Sequence, residues 1–65
     1  MFAPDDTPRL IDLQEVSRLT SLRRSAIYER ISQGEFRIVK LGRRSAFIEA
    51  EVHAWIREQV AKAHA

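Results

Sequence analysis

Cysteine is absent from this 65-residue chain, and only two glycines and two prolines occur. Without cysteine there is neither a disulfide nor a thiolate metal cluster, so the apolar residues, 45% of the sequence, must build the core alone. No apolar run approaches the roughly 20 residues that span a bilayer, and residues 1–7 lack the basic start and apolar stretch of a secretory signal. We therefore expect one small cytoplasmic domain with no membrane association.

The sequence also lacks the residue groupings of an active site. It contains no glycine-rich phosphate loop and no nucleophile with an evident base. His53 and His64 have no Cys, Asp or His partner at the spacing of metal ligands, so we interpret both as surface residues. We predict no enzymatic activity, no cofactor and no metal site.

What the chain does have is a concentration of positive charge in its middle. The net charge is only +2, but residues 18–44 hold eight Lys and Arg against two Glu, a local net charge of +6. The flanking segments 1–17 and 45–65 are both net acidic. A basic segment of this kind is the electrostatic footprint of a surface that binds a polyanion, although basic faces also serve solubility.

The apolar spacing predicts two short helices separated by a turn. Residues 13–19 form the first, capped by Asp12, with Glu15 at the third position as a partial capping box. A second helix follows the turn at residues 20–22 and ends at Gly34, where a left-handed cap needs a residue without Cβ. These are the dimensions of a helix-turn-helix.

The period then changes to that of a hairpin and a third helix. Residues 36–41 and 45–48 are rich in strand formers and flank a turn at residues 42–44. The last helix has a single apolar face, which we expect to be buried and which consists of Val52, Trp55, Ile56 and Val60. The fold class is therefore mainly α with a small β-hairpin, preceded by an arm at residues 1–8. The domain would cover residues 9–62, with a tail at 63–65.

Two clusters of basic residues fall on the parts of such a fold that touch DNA. The second helix of a helix-turn-helix enters the major groove with its N-terminal residues towards base edges, and a hairpin can reach the backbone or the minor groove. The candidate DNA-binding residues are Arg23, Arg24, Ser25, Tyr28, Lys40, Arg43 and Arg44.

Arg23 and Arg24 are the most informative pair, because the helix dipole disfavours a cation at this end by about 0.3–1 kcal/mol. A phosphate or a guanine edge would reverse that cost. Alternatives remain open: both arginines are simply solvated, Tyr28 packs on the hairpin, and a charged hairpin turn is ordinary in soluble proteins. For Glu29 we favour an ion pair with a nearby Arg along the helix over base reading.

Three stretches together resemble the AlpA-like phage and prophage regulators, relatives of small excisionases and of the DNA-binding end of MerR-type regulators. They are RLIDLQEVSRLTSLRRSAIYERISQGEF, VKLGRRSAF and EAEVHAWI, which together span residues 9–56. The resemblance implies a MerR-like winged helix-turn-helix with a two-stranded wing. It also implies DNA contacts at the residues that match the family motifs, which are Arg24, Ser25, Tyr28, Arg43 and Arg44.

Members of the family commonly have Gly where Ser21 stands and a capping Ser where Arg23 stands, and the wing here is about one residue shorter at two places. The implied function is sequence-specific regulation of transcription from double-stranded DNA. One alternative is an excisionase that bends DNA and positions an integrase, and another is a protein-binding adaptor module. The candidate partners besides DNA are an integrase or RNA polymerase, with the protein acting as a monomer or as several copies side by side.

Overall fold

Three helices and a three-stranded antiparallel sheet make up the part of the chain that the computed structural model describes, residues 7–64. The elements in order are β1 (Leu10–Ile11), α1 (Leu13–Thr20), α2 (Arg24–Ser32), β2 (Ile38–Leu41), β3 (Arg44–Ile48) and α3 (Glu49–His64). This order confirms the predicted helix, turn, helix, hairpin, helix. The predicted arm falls largely on residues 1–6, which lie outside the described residues.

The helix α1 begins as its sequence predicts. Asp12 is extended, and its carboxylate accepts a hydrogen bond of 2.8 Å from the backbone N–H of Glu15. The reciprocal half of the capping box is replaced, because the Glu15 carboxylate instead accepts from Arg18 Nε at 3.1 Å and Nη2 at 2.8 Å. One end of α1 is thus fixed by a cap, and its surface is braced by an ion pair one turn further on.

The turn between the two helices depends on a backbone conformation that few residues adopt. Ser21 has φ = 63°, in the left-handed region that favours glycine. The Ser17 hydroxyl donates to the carbonyl of Leu22 at 2.6 Å, and Thr20 Oγ1 accepts from the N–H of Leu22 at 3.2 Å. These side-chain hydrogen bonds stabilise the turn after the last residue of α1. The helix α2 then begins at Arg24, three residues after Ser21.

The predicted glycine cap, Gly34, follows the end of α2. Gly34 has φ = 80°, its N–H donates to Ile31 at 3.0 Å, and the N–H of Glu35 donates to Arg30 at 2.9 Å. This pair of bonds is the Schellman motif, which satisfies two of the free carbonyls at a helix C-terminus. The chain therefore leaves α2 abruptly and enters the hairpin.

The hairpin closes with a two-residue turn, Gly42 and Arg43, because Leu41 pairs directly with Arg44. Gly42 has φ = 63°, whereas Arg43 has no positive φ, as in a type II′ turn. The strand order is β1-β3-β2, with Ile11 and Ile38 on opposite sides of Phe47. The two-stranded wing is thus present, and the short β1 adds a third strand that ties the wing to the start of α1.

The core lies between the sheet and the three helices, and its buried members come from every element except β2, together with one residue of the loop that precedes β2. They are Ile11, Val16, Ile27, Phe36, Phe47 and Val52. Trp55 is half-buried against them, with its ring edge-to-face with Phe36 at 5.1 Å. The expectation that Val60 shares this buried face is wrong: its side chain is 52% exposed, since α3 extends past the core after Ile56.

Candidate nucleic-acid interface

One side of α2 is left uncovered along its length. Ile27 is completely buried, whereas four polar side chains at helical spacing on the other side are exposed. These are Ser25, Tyr28, Glu29 and Ser32, at positions i, i+3, i+4 and i+7. The packing of α2 therefore points a continuous polar stripe at solvent, as a helix that enters a DNA groove requires.

The first turn of α2 concentrates positive charge. Arg23 occupies the N-cap position and makes no side-chain capping bond, and the first turn contains no acidic residue. The guanidinium of Arg24 lies over the Tyr28 ring, with its central carbon 5.9 Å from the ring centroid, at the range of a cation–π contact. Tyr28 is 47% exposed, so its ring is not buried on the hairpin.

The second basic cluster lies at the end of the hairpin. Arg43 is in the two-residue turn, and Arg44 begins β3 opposite Leu41. One residue further from the turn, Lys40 lies opposite Ser45 and donates to its hydroxyl at 3.2 Å. All three cations are exposed. The hairpin thus presents guanidinium groups at its tip and an ammonium group behind them.

One arginine of each cluster borders a depression beside the start of α1. Arg24 borders a surface depression that is lined also by Leu13, Gln14, Ser17 and Arg18. Arg44 borders a second depression, whose lining includes Leu10, Ile11 and Asp12. Because Asp12 and Leu13 are consecutive, both depressions open beside the beginning of α1.

Ion pairing divides the basic residues into two groups. None of the five ion pairs within residues 7–64 uses any of the five cations proposed for DNA contact. Of the other six Lys and Arg residues, all but Arg57 are paired in that same part of the chain. The pairs are Arg9–Glu49, Arg18–Glu15, Arg30–Glu35, Arg37–Glu51 and Lys62–Glu58.

The structure corrects one expectation about this surface and shows a paired arginine beside it. Glu29 makes no ion pair within residues 7–64, because Arg30 turns instead to Gln33 at 3.2 Å and Glu35 at 3.4 Å. Arg18 was not among the predicted contacts, yet it shares a depression with Arg24.

Arg18 also shifts the pKa of a neighbouring carboxyl group, that of Glu15. Its guanidinium donates to the Glu15 carboxylate through two nitrogens, and this hydrogen bonding lowers the pKa of Glu15. The same contact raises the pKa of Arg18. Both groups are therefore charged at neutral pH, and α1 presents a dipolar pair beside the cationic end of α2.

The fold and this surface define a small winged helix-turn-helix protein with two clusters of basic residues that make no ion pair within residues 7–64. The chain belongs to the family described as “Prophage CP4-57 regulatory protein (AlpA)”, which matches residues 9–60. The AlpA resemblance seen in the sequence is thereby confirmed. No curated protein and no solved structure matches the chain. Within residues 7–64, none of the helices combines the length and the hydropathy needed to cross a bilayer.

Proposed function

We propose that this protein binds double-stranded DNA sequence-specifically and regulates transcription for a phage, prophage or related mobile element. The helix α2 enters the major groove through its exposed stripe and its first turn, and the wing contacts the backbone or an adjacent minor groove. The contacting residues are Arg23, Arg24, Ser25, Tyr28, Lys40, Arg43 and Arg44. Membership of a family of prophage regulatory proteins supports this role.

The observation that carries the proposal is the absence of counterions from one group of cations. Five exposed Lys and Arg residues on α2 and the wing have no carboxylate partner within residues 7–64, while their counterparts elsewhere are nearly all paired. Clustered cations repel one another, so an arrangement of this kind gains free energy when phosphates enter between them. Folding alone supplies no reason for it.

The test is the affinity for a duplex selected from a random library, measured for a variant in which Arg24 and Arg44 are both replaced by alanine. The matched control replaces Arg37 and Arg57, which removes the same charge from other surfaces. We expect the first variant to lose on the order of 30-fold or more in affinity, since each specific arginine contact is worth about 1–3 kcal/mol. We expect little change in the control. Equal losses in both, or none in the first, refute the proposal.

One observation favours the second candidate, an excisionase that bends DNA. Leu41 is 50% exposed, next to the hairpin turn and opposite Arg44. Apolar side chains beside cations are the means by which some proteins unstack a base step and kink the duplex. Circular-permutation gel shifts and an excision assay with an integrase distinguish the roles: a strong bend and stimulated excision support the architectural function, and their absence leaves the transcriptional one.

We also propose that the protein binds DNA as a monomer or as several copies side by side. The last turns of α3 carry one large exposed apolar side chain, Val60, so the described part of this helix lacks the repeating apolar stripe of a coiled coil. Analytical ultracentrifugation with and without the selected duplex tests this. A tight dimer in the absence of DNA contradicts it.

A further inference from the structure

Glu29 differs from every other carboxylate in the described part of the chain. Its side chain is exposed on α2 and has neither a cation nor a hydrogen-bond donor within residues 7–64. The six other carboxylates there each have a partner. They are Asp12 with the N–H of Glu15, Glu15 with Arg18, Glu35 with Arg30 and Trp55, Glu49 with Arg9, Glu51 with Arg37, and Glu58 with Lys62.

The helix itself offers Glu29 no partner. The positions one turn away on either side, where an ion pair would form, hold Ser25, Ala26, Ser32 and Gln33. Of the two arginines nearby, Arg24 lies over the Tyr28 ring, and Arg30 is directed towards Glu35. The Glu29 carboxylate therefore pairs with no cation within residues 7–64, and it lies on the same exposed stripe as Ser25 and Tyr28.

A carboxylate in this place opposes binding to DNA in general. The phosphates repel it, and so its presence lowers affinity for every sequence unless a donor on a base compensates. The major-groove edge of a duplex offers such donors only in the exocyclic amino groups of cytosine and adenine, and the common partner of glutamate is cytosine N4. A glutamate on a groove-facing helix thus penalises sequences that lack the donor.

We propose that Glu29 determines sequence specificity by accepting a hydrogen bond from the N4 amino group of a cytosine in the major groove. This inference rests on the proposed function, because it requires α2 to enter that groove. Positive charge on α2 and the wing supplies affinity for any duplex, and Glu29 restricts that affinity to sites with cytosine at one position. Discrimination of this kind works through repulsion as well as attraction.

The experiment selects bound duplexes from a random library with the wild type, Glu29→Ala and Glu29→Gln, and then measures affinities for the selected site with each base at the cytosine position. The matched control is Glu58→Gln, which neutralises an exposed carboxylate on α3. We expect the wild type to prefer cytosine by about 5- to 150-fold, the range that follows from one good base contact. Glu29→Ala loses this preference while its affinity for unrelated DNA stays the same or rises.

Glu29→Gln provides a readout that a structural role would not produce. Glutamine binds the N6 and N7 edge of adenine, so we expect the preference to move from cytosine towards adenine. If the wild type has no base preference, or if both Glu29 variants keep the wild-type preference, the Glu29 proposal is wrong even though duplex binding stands. If the Arg24 and Arg44 double variant also binds DNA as well as the wild type does, then the proposed function fails as well.

Discussion

Replacing Arg43 and Arg44 at the wing tip with alanine should reduce the salt dependence of duplex binding by a calculable amount. Each phosphate that a cation neutralises contributes about −0.9 to the slope of log Kobs against log salt. If the five cations proposed for DNA contact on α2 and the wing all contact phosphates, the wild-type slope is about −4.5, and affinity falls roughly 500-fold between 50 and 200 mM salt. The wing variant keeps three of the five, so its slope should be about −2.7 and its loss about 40-fold.

The measurement is fluorescence anisotropy of a labelled duplex titrated at several salt concentrations. Both arginines are exposed and make no ion pair within residues 7–64, so their removal should leave the fold intact, which circular dichroism checks. The control replaces Arg37 and Arg57; Arg37 already pairs with Glu51 at 2.7 Å. An unchanged slope in the wing variant, or an equal reduction in the control, refutes the reasoning that the cations of α2 and the wing are the ones that bind DNA.

Two further predictions concern the scaffold rather than the DNA. Ser21→Gly should raise the free energy of unfolding by about 1 kcal/mol and the melting temperature by roughly 4–8 °C. The reason is that glycine relieves about 1–2 kcal/mol of left-handed backbone strain, which outweighs the cost of about 0.4–1 kcal/mol from a more flexible unfolded chain. A lower melting temperature contradicts this prediction. Glu15→Gln should cost stability at neutral pH and progressively less in acid. Arg18 lowers the pKa of Glu15 in the folded state, so the stabilisation from this pair is present above the unfolded-state pKa and is lost as the pH falls through the folded-state pKa. If the difference in urea midpoint between the wild type and this variant does not change with pH, the prediction is wrong.

Local chemistry explains why the ends of several elements could be predicted from the sequence. The cap at Asp12, the left-handed position at Gly34 and the turn at Gly42 each depend on residues within about four positions of one another. A carboxylate that precedes a helix, or a glycine that follows one, meets the same backbone groups in most proteins. The ends of these elements could therefore be predicted from neighbouring residues alone.

Relations between distant segments were harder to anticipate. The pairing of β1 with β3 joins Ile11 to Phe47, and no spacing within either segment specifies that contact. The exposure of Val60 has the same origin, because the apolar period of α3 continues after the core that it packs against has ended. Periodicity tells which side of a helix is apolar, but not how far its neighbours extend.

The candidate interface shows the same division between local and distant information. Charge counting along the sequence found both basic clusters, but it could not tell which cations would be neutralised by carboxylates on other elements. Arg37 looked like part of the same basic segment, yet its partner Glu51 is 14 residues away on α3. The pairing pattern needed coordinates, and it is the pattern that separates Arg44 from Arg37.

The start of α2 shows how this small domain divides stability from recognition. A capping side chain at the N-cap position is worth about 0.5–2 kcal/mol, and Arg23 provides none, while the Arg24 guanidinium beside it meets the positive end of the helix dipole. The domain has its capping elsewhere, with Asp12 opening α1 and the Schellman turn at Gly34 closing α2. Because α2 is anchored at its far end and by Ile27 in the core, its first turn can keep free amides and cations directed outwards. A phosphate is the ligand that these groups jointly favour, so the least stabilised end of the helix is the one best suited to meet DNA.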